Sequence, residues 1–261
     1  MVKLIFCGLI SPEKINKTES EELQQMILTL QPNCIINSRV GNELGDYQVL
    51  EQEFSNKIFV RPWESCIIMS RNWGYVAYDS TYKSPEILVR QLLDVVCKGG
   101  NLLLDVGPTA KGEFTNQAQL RLQQIGKWMK KNSEGIYDTH PWKVANEVLI
   151  NVPEIKKETI DSKSQIMKDA LNDATSKLII TEIRFTAKSN NIYAYVFSWY
   201  GKDVLIKSLA LGQFGTIQKV DLLGTSEKIN WKQTPKGLLI TMSTYTVKEI
   251  PVVGFRIKIR K

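Results

Sequence analysis

The stretch KGGNLLLDVGPTAKG, residues 98–112, sets an acid inside an apolar run and then stops the run with Gly-Pro. Strands buried in parallel sheets read as short continuous apolar runs, and Leu102, Leu103, Leu104 and Val106 between turn residues fit that description. The reading predicts a strand covered on both faces. Asp105 then falls at its carboxyl end, where parallel α/β folds place their clefts. The alternative is structural: an Asp ahead of Gly107-Pro108 caps a helix or bonds a turn.

Around this strand the pattern alternates strand and helix from residue 1 to about 142. Leu4 to Leu9 is a short apolar run, and Leu23, Met26, Ile27 and Leu30 recur at helical spacing before Pro32 ends them. A strand from Cys34 to Asn37, a long loop and the run Cys66 to Ser70 follow. Ser84-Pro85-Glu86 opens a helix with cap, first-turn Pro and acid in order, and Gly99 closes it. Past the Leu102 to Val106 strand, Ala118, Leu122, Ile125 and Met129 share one helical face. Four strands with three helical segments predict parallel pairing and right-handed crossovers. An eight-stranded (β/α) barrel takes about 250 residues, so about 140 supply roughly half of one.

After Trp142 the character changes. Residues 153–177 are polar and Lys-rich and read as a linker or insertion, with a short helix around 166–171. Six short strands follow: Leu178 to Phe185, Ile192 to Trp199, Val204 to Leu211, Ile217 to Leu223, Leu238 to Met242 and Val252 to Ile259. In the second, Tyr193, Tyr195, Phe197 and Trp199 alternate with Ile192, Ala194 and Val196, so both faces are suited to burial. With turns at Lys188-Ser189-Asn190-Asn191 and Thr234-Pro235-Lys236-Gly237, the spacing predicts an antiparallel sandwich. The predicted architecture is therefore α/β plus all-β: a partial (β/α)8-type barrel over 1–142 and a β-sandwich over 143–261.

The 261 residues, 43% hydrophobic and 23% charged, suit a globular chain with a real core. No apolar run approaches the roughly 18 residues of a membrane span. The opening MVKLIFCGLI lacks the flanks and cleavage site of a signal peptide and reads as a strand. A formal charge of +7 comes from lysines scattered among acids, without a basic-aromatic motif, which argues against nucleic acid as a partner. Cys7, Cys34, Cys66 and Cys97 form no CxxC pair, and His140 is the single histidine, so buried thiols are expected rather than a metal site.

One histidine builds no Ser-His-Asp set, and no phosphate-binding or zinc spacing is present. What remains is carboxylates beside aromatics near strand ends: Asp46, Glu51 and Glu53 in GDYQVLEQE, Glu64 in RPWESC, and Asp79 after RNWGYVAY. An acid next to Trp suits glycoside chemistry, because an apolar wall raises a carboxyl pKa toward general-acid use and an indole face stacks on a sugar. Each acid also fits a surface or loop-capping role, and Trp63 and Trp73 also fit a core.

The ordered blocks SRVGN-x-LGDY, PWESC, NWGYVAYD, KSPEILVRQLLDVVCKGGNLLLDVGPTAKGEF and IGKWMKKNSEGIYDTHPW resemble the α-L-fucosidases of glycoside hydrolase family 29. The later IRFTAKSNNIYAYVFSW and KVDLLGTSEKINW resemble that family's C-terminal sandwich. The resemblance implies a (β/α) barrel followed by a β-sandwich, no metal or organic cofactor, fucosylated glycans as partners, and a retaining mechanism with a carboxylate nucleophile and a carboxyl acid/base. It also implies a lysosomal, periplasmic or secreted setting for the family. Family members usually carry Asn where Asp105 stands, in a segment that supports the barrel, which favours the structural reading of that acid.

By the same resemblance, the nucleophile is an Asp in a strand-end motif like WFDxG, and LIFCGLISPE places Phe6 or Cys7 there, with no carboxylate replacing it locally. The barrel half that carries the family's fucose-binding histidines and Trp is missing. Arg39 in INSRVG matches an arginine that binds the sugar in some members, its alternative being a surface ion pair. Trp73 in NWGY matches an aromatic at the sugar site. The acid/base corresponds to Glu51 by one family pattern and to Glu64 by another, with Glu64 favoured because GDYQVLEQE departs from GDY-x-TPE. The expectation is a truncated fucosidase half, inactive or severely impaired alone, that associates with itself or needs the missing barrel half. A non-catalytic remnant or carbohydrate-binding protein is the alternative.

Overall fold

Among the described residues up to 105, five short strands run parallel. The computed structural model describes residues 5–7, 16–151, 179–197, 203–213, 215–241 and 250–260. Strand β1 (Ile5–Cys7) pairs in parallel with β2 (Cys34–Ile36). Strands β3 (Gln48–Glu51), β4 (Trp63–Ile68) and β5 (Gly100–Asp105) form a second parallel sheet in that order, and a parallel bridge from Asn37 to Tyr47 links β2 to it. Strand β3 falls in the segment read as a long loop. Its outer residues Gln48 and Glu51 are exposed, so it lacks the apolar run by which a buried strand is recognised.

Helices α1 (Lys17–Leu30), α2 (Pro85–Val96) and α3 (Asn116–Asn132) start where their caps dictate. Asn16 and Glu19 form a reciprocal capping box, Ser84 accepts from the Ile87 N–H, and Thr115 accepts from the Ala118 N–H. Leu88 of α2 and Ala118 of α3 are buried against Met69, with Leu104 of β5 packed on them.

The expectation that β5 is covered on both faces does not hold. Leu104 faces the helices, but Leu103 is 51% exposed, because β5 is an edge strand and the face bearing Asn101 and Leu103 has no packed layer over it among the described residues. At the amino end of β5 the fit is close: a Cβ on Gly100 would lie 2.4 Å from the Trp63 ring.

The second region is antiparallel. Strands β6 (His140–Asn151), β7 (Ile179–Lys188), β8 (Asn191–Phe197), β10 (Ile217–Leu222) and β13 (Val252–Ile259) form one sheet, ordered β10-β13-β8-β7-β6. Strands β9 (Val204–Ile206), β11 (Asn230–Thr234) and β12 (Gly237–Thr241) form the other, ordered β11-β12-β9. Both anticipated hairpins are present, joining β7 to β8 and β11 to β12. Strands β6 and β11 were not anticipated, since polar residues such as Lys143, Asn146 and Glu147 break up β6 and β11 reads Asn230-Trp231-Lys232-Gln233-Thr234, and β6 pairs with β7 from its first residue, His140. The run read as a linker, the short helix within it and Trp199 all lie outside the described residues.

Alternation along β8 works as predicted. Ile192, Ala194 and Val196 point into the sandwich, where they meet Val204, Ile206, Leu238 and Ile240 of the smaller sheet. Tyr193, Tyr195 and Phe197 point the other way, against Val89 and Leu93 of α2 and Trp128 of α3. The Trp128 indole N–H donates to the Val252 carbonyl at 2.9 Å, and the Tyr195 hydroxyl donates to the Asn132 carbonyl at 2.8 Å. Charges ring this contact: Arg184 donates to Asp94 at 3.0 Å, Arg90 pairs with Glu182, and the Arg90 guanidinium lies 4.3 Å from the centre of the Phe197 ring. Cys34, Cys66 and Cys97 are buried free thiols, and burial pushes the Cys97 thiol up to about 12. No described helix is long and apolar enough to cross a membrane.

Phe197 is fully buried, whereas Leu103 stands on the open face. Phe197→Ala is expected to cost about 3–5 kcal/mol in urea denaturation. Leu103→Ala is expected to stay within about 1 kcal/mol of wild type.

Candidate functional site

The register across β3, β4 and β5 sets which side chains share a face. Val49, Glu64 and Asn101 are cross-strand neighbours, then Glu51, Cys66 and Leu103, with Asp105 opposite Ile68 at the carboxyl end. With side chains alternating along each strand, Glu51, Glu64, Cys66, Leu103 and Asp105 all lie on one face, exposed at Glu51 and Leu103 and buried at Cys66.

Arg39 reaches this face from the short 3-10 turn Ser38–Val40 that follows β2. Asn37 caps the turn by accepting the Arg39 N–H at 3.2 Å, and the Ser38 hydroxyl accepts the Val49 N–H at 3.0 Å, which holds the turn against β3. Asp46 closes the same loop, its carboxylate accepting the Ile36 N–H at 2.8 Å. Asp46 is thus a structural clip. From this position the Arg39 guanidinium donates to Glu51 at 2.8 Å, with its own side chain largely buried and that of Glu51 half-exposed.

Glu64 sits one row closer to the amino end of β4. The Cys66 thiol, two residues along the same face, donates to its carboxylate at 3.6 Å. Burial raises Glu64 above its ordinary 4.5, and the thiol hydrogen bond and the Arg39 charge oppose that rise. Cys66 is pushed up to about 11, first by burial and then by the neighbouring Glu64 charge, so it stays a protonated donor. Arg39, Glu51 and Glu64 therefore form one electrostatic group with Cys66 between the two acids. Sequence reasoning passed over Cys66 as a site residue, although an acid and a thiol two apart on a strand must share a face.

Trp73 stands elsewhere, on the loop between β4 and α2, and is 42% exposed. Asp79 organises that loop. It accepts from the Thr81 N–H at 2.8 Å and from the Asn72 amide at 2.9 Å, and these bonds, with that of the Thr81 hydroxyl, hold its carboxyl well below the usual carboxylate range. The Glu53 backbone carbonyl accepts from the buried Ser65 hydroxyl at 2.6 Å, and its side chain is exposed.

Asp105 is neither a helix cap nor a turn-bonding acid. Its carbonyl accepts the Met69 N–H at 3.1 Å, but its buried Oδ2 has no hydrogen-bond partner among the described residues. Burial raises its carboxyl pKa. With Met69, Asn72, Tyr75, Asp79 and Tyr82 it lines a small cavity at the carboxyl end of the sheet.

Comparison with known proteins gives two family matches in chain order. The model described as α-L-fucosidase matches residues 8–134, and that described as α-L-fucosidase C-terminal domain matches residues 175–260. Plasma α-L-fucosidase of Rattus norvegicus is 26% identical over 213 residues, which cover 79% of this chain and 40% of that protein. An α-L-fucosidase of Dictyostelium discoideum is 35% identical over 125 residues, 45% of this chain and 27% of that protein. The chain thus spans about two fifths of the length of the first of these relatives. Among solved structures, α-L-fucosidase isoenzyme 1 from Paenibacillus thiaminolyticus superposes with a TM-score of 0.75 at 24% identity, covering 100% of this chain and 58% of that one. An α-fucosidase from Thermotoga maritima in complex with fucose gives 0.66 at 26% identity, covering 92% and 49%. The combination of parallel α/β region and antiparallel sheets is that of the fucosidase fold.

The Glu64 environment makes two measurable statements. In Cys66→Ala the Glu64 carboxyl should titrate higher than in wild type, and in Cys66→Ser the stronger hydroxyl donor should bring it back down, as read by carbon-13 NMR. Because folded Glu64 binds its proton more tightly than the unfolded chain does, its contribution to stability is full below 4.5 and lost as pH rises through the folded value. Glu64→Gln lacks that loss. Its stability relative to wild type should climb above pH 4.5 and then level off in pH-dependent denaturation.

Proposed function

The chain belongs to the α-L-fucosidase family, and from that premise we propose that residues 1–142 are the C-terminal half of its (β/α)8 barrel and residues 143–261 its C-terminal β-sandwich. The two family matches fall on either side of that division. The chemistry is that of an exo-acting glycoside hydrolase releasing terminal α-L-fucose from glycans with retention. The observation that carries this reading is the half-buried Glu64 on the parallel sheet, in a chain whose residues 8–134 and 175–260 match fucosidase family models.

In this reading Glu64 is the acid/base. A carboxyl that keeps its proton above the ordinary range can deliver it to a glycosidic oxygen and then take one from water. Glu51 is the alternative, but it is already engaged by Arg39 at 2.8 Å. Arg39 and Trp73 are assigned to the sugar, the first through hydroxyl groups and the second through its exposed ring.

Retention also needs a nucleophilic carboxylate about 5 Å from the acid/base. Strand β1, where the family resemblance puts it, carries Phe6 and Cys7. This favours a second reading, in which the chain binds fucosylated glycans without turning them over. The exposed Leu103 supports the idea that further barrel strands cover this face of the sheet.

The test is hydrolysis of an aryl α-L-fucoside by the purified chain, with circular dichroism as the check on folding. A folded protein without turnover is expected, together with weak L-fucose binding that Arg39→Ala abolishes. Turnover that survives purification would refute the missing-nucleophile reading.

A further inference from the structure

Asn16-Lys17-Thr18 is an Asn-x-Thr triplet without proline, and no other asparagine of the chain has Ser or Thr two residues on. Such a triplet is the acceptor signal for an N-linked glycan, which the fold tolerates only where the amide nitrogen ends in solvent. The structure speaks to that second condition.

Asn16 stands immediately before α1 with extended backbone, φ −70° and ψ 166°, and residues 16, 17 and 18 are all exposed. Its side chain is the helix cap: Oδ1 accepts the Glu19 N–H at 3.0 Å, while the Asn16 N–H donates to the Glu19 carboxylate at 3.1 Å. The cap fixes how the amide is turned. With Oδ1 directed at the helix, Nδ2 lies on the other side of the amide carbon and makes no hydrogen bond among the described residues. The first turn is itself anchored, because the Asn42 amide donates to the buried Ser20 hydroxyl at 2.7 Å and Leu23 and Ile27 pack on Cys34 and Ile36. A substituent on Nδ2 therefore leaves from a fixed point without displacing the cap or a packed side chain. Asn72 offers the contrast: it is exposed as well, but its amide is engaged by Asp79 at 2.9 Å and Gly74 stands two residues on.

We propose that Asn16 is an N-glycosylation site, its ligand an oligosaccharide delivered from a polyprenyl pyrophosphate carrier. In the transfer Nδ2 bonds to C1 of the carrier-linked sugar and loses one proton. The bond from C1 to the pyrophosphate oxygen breaks, and the lipid pyrophosphate leaves with its electron pair. The Thr18 hydroxyl is the second half of the signal that the transferring enzyme reads. This inference is independent of the fucosidase chemistry. A bulky, hydrated glycan at Asn16 also keeps the amino end of α1 in solvent in any assembly the chain enters.

The test leads the 261-residue chain into eukaryotic microsomes behind a cleavable secretion signal. A slower band that endoglycosidase H collapses is expected, and peptide-N-glycosidase in oxygen-18 water should leave a labelled Asp at position 16. Thr18→Ala should abolish the modification with the cap intact, and Thr18→Ser should keep a reduced fraction of it. Unmodified Asn16 in chains that the microsomes have taken up and shielded from protease refutes the site, as does a shifted band that persists in Thr18→Ala. A second measurement addresses the geometry. Enzymatic removal of the glycan converts Asn16 to Asp, which caps a helix equally well, so the glycosylated and deglycosylated chains should melt within about 2 °C of each other. A glycosylated chain that melts lower by more than that has lost its cap, and the placement of Nδ2 in solvent is overturned.

Discussion

Strand β8 is buried on both faces, and the placement of the site sheet depends on that burial. Ile192, Ala194 and Val196 belong to the interior of the sandwich, and Tyr193, Tyr195 and Phe197 belong to the contact with α2 and α3. Each fully buried aliphatic or aromatic side chain is worth about 1.5–3 kcal/mol, so the three on one face of β8 are comparable with much of a typical domain's net stability of about 5–15 kcal/mol. The same two helices back β4 and β5 through Leu88, Ala118 and Leu104. A sandwich that contributes none of Arg39, Glu51 or Glu64 thereby fixes the helices on which their sheet rests. The fit is close enough that side chains are excluded at two glycines, since a Cβ on Gly135 would meet the Tyr195 hydroxyl at 2.4 Å and one on Gly254 would meet Asn132 at 2.6 Å.

Charge sets the register of this contact rather than its strength. Glu182 and Arg184 are nearly fully buried on β7, facing Arg90 and Asp94 of α2. Burial lowers the Arg90 pKa, and the Glu182 and Glu86 charges oppose that shift. Desolvating such groups offsets much of their attraction, so the network adds little net stability while intact, yet losing one partner strands the others. Sliding α2 by a turn along β7 would separate Arg90 and Asp94 from Glu182 and Arg184, whose ion pairs the observed docking forms even though Arg184 Nη1 has no hydrogen-bond partner among the described residues.

The parts of this fold that were legible in the sequence are those whose signals are local. Capped helices announced themselves at Ser84-Pro85 and in the apolar spacing of α3, and β8 announced its double burial by alternation. Strands β3, β6 and β11 were not legible, because polar residues such as Gln48, Lys143, Glu147 and Lys232 interrupt their apolar positions. The run Leu102–Leu104 suggested two covered faces, and Leu103 shows why it misled: a continuous apolar run records what a strand is suited to meet, whether or not a layer lies over it. In the site, the Glu64 and Cys66 pairing was readable from their spacing. The Arg39 and Glu51 pairing was not, since it depends on how a turn after β2 folds back onto β3. The orphaned Oδ2 of Asp105 was equally hidden, because it depends on which groups the neighbouring loop brings near.

Native-state hydrogen exchange tests most directly the claim that sandwich and site sheet form one unit through β8. Amides of residues 191–197 in β8 and of α2 and α3 should open with the same free energy and the same denaturant dependence, as one cooperative body. If α2 and α3 exchange through a lower-energy opening while β8 stays protected, the two regions are independent, and burial on the second face of β8 does not hold the site sheet in place.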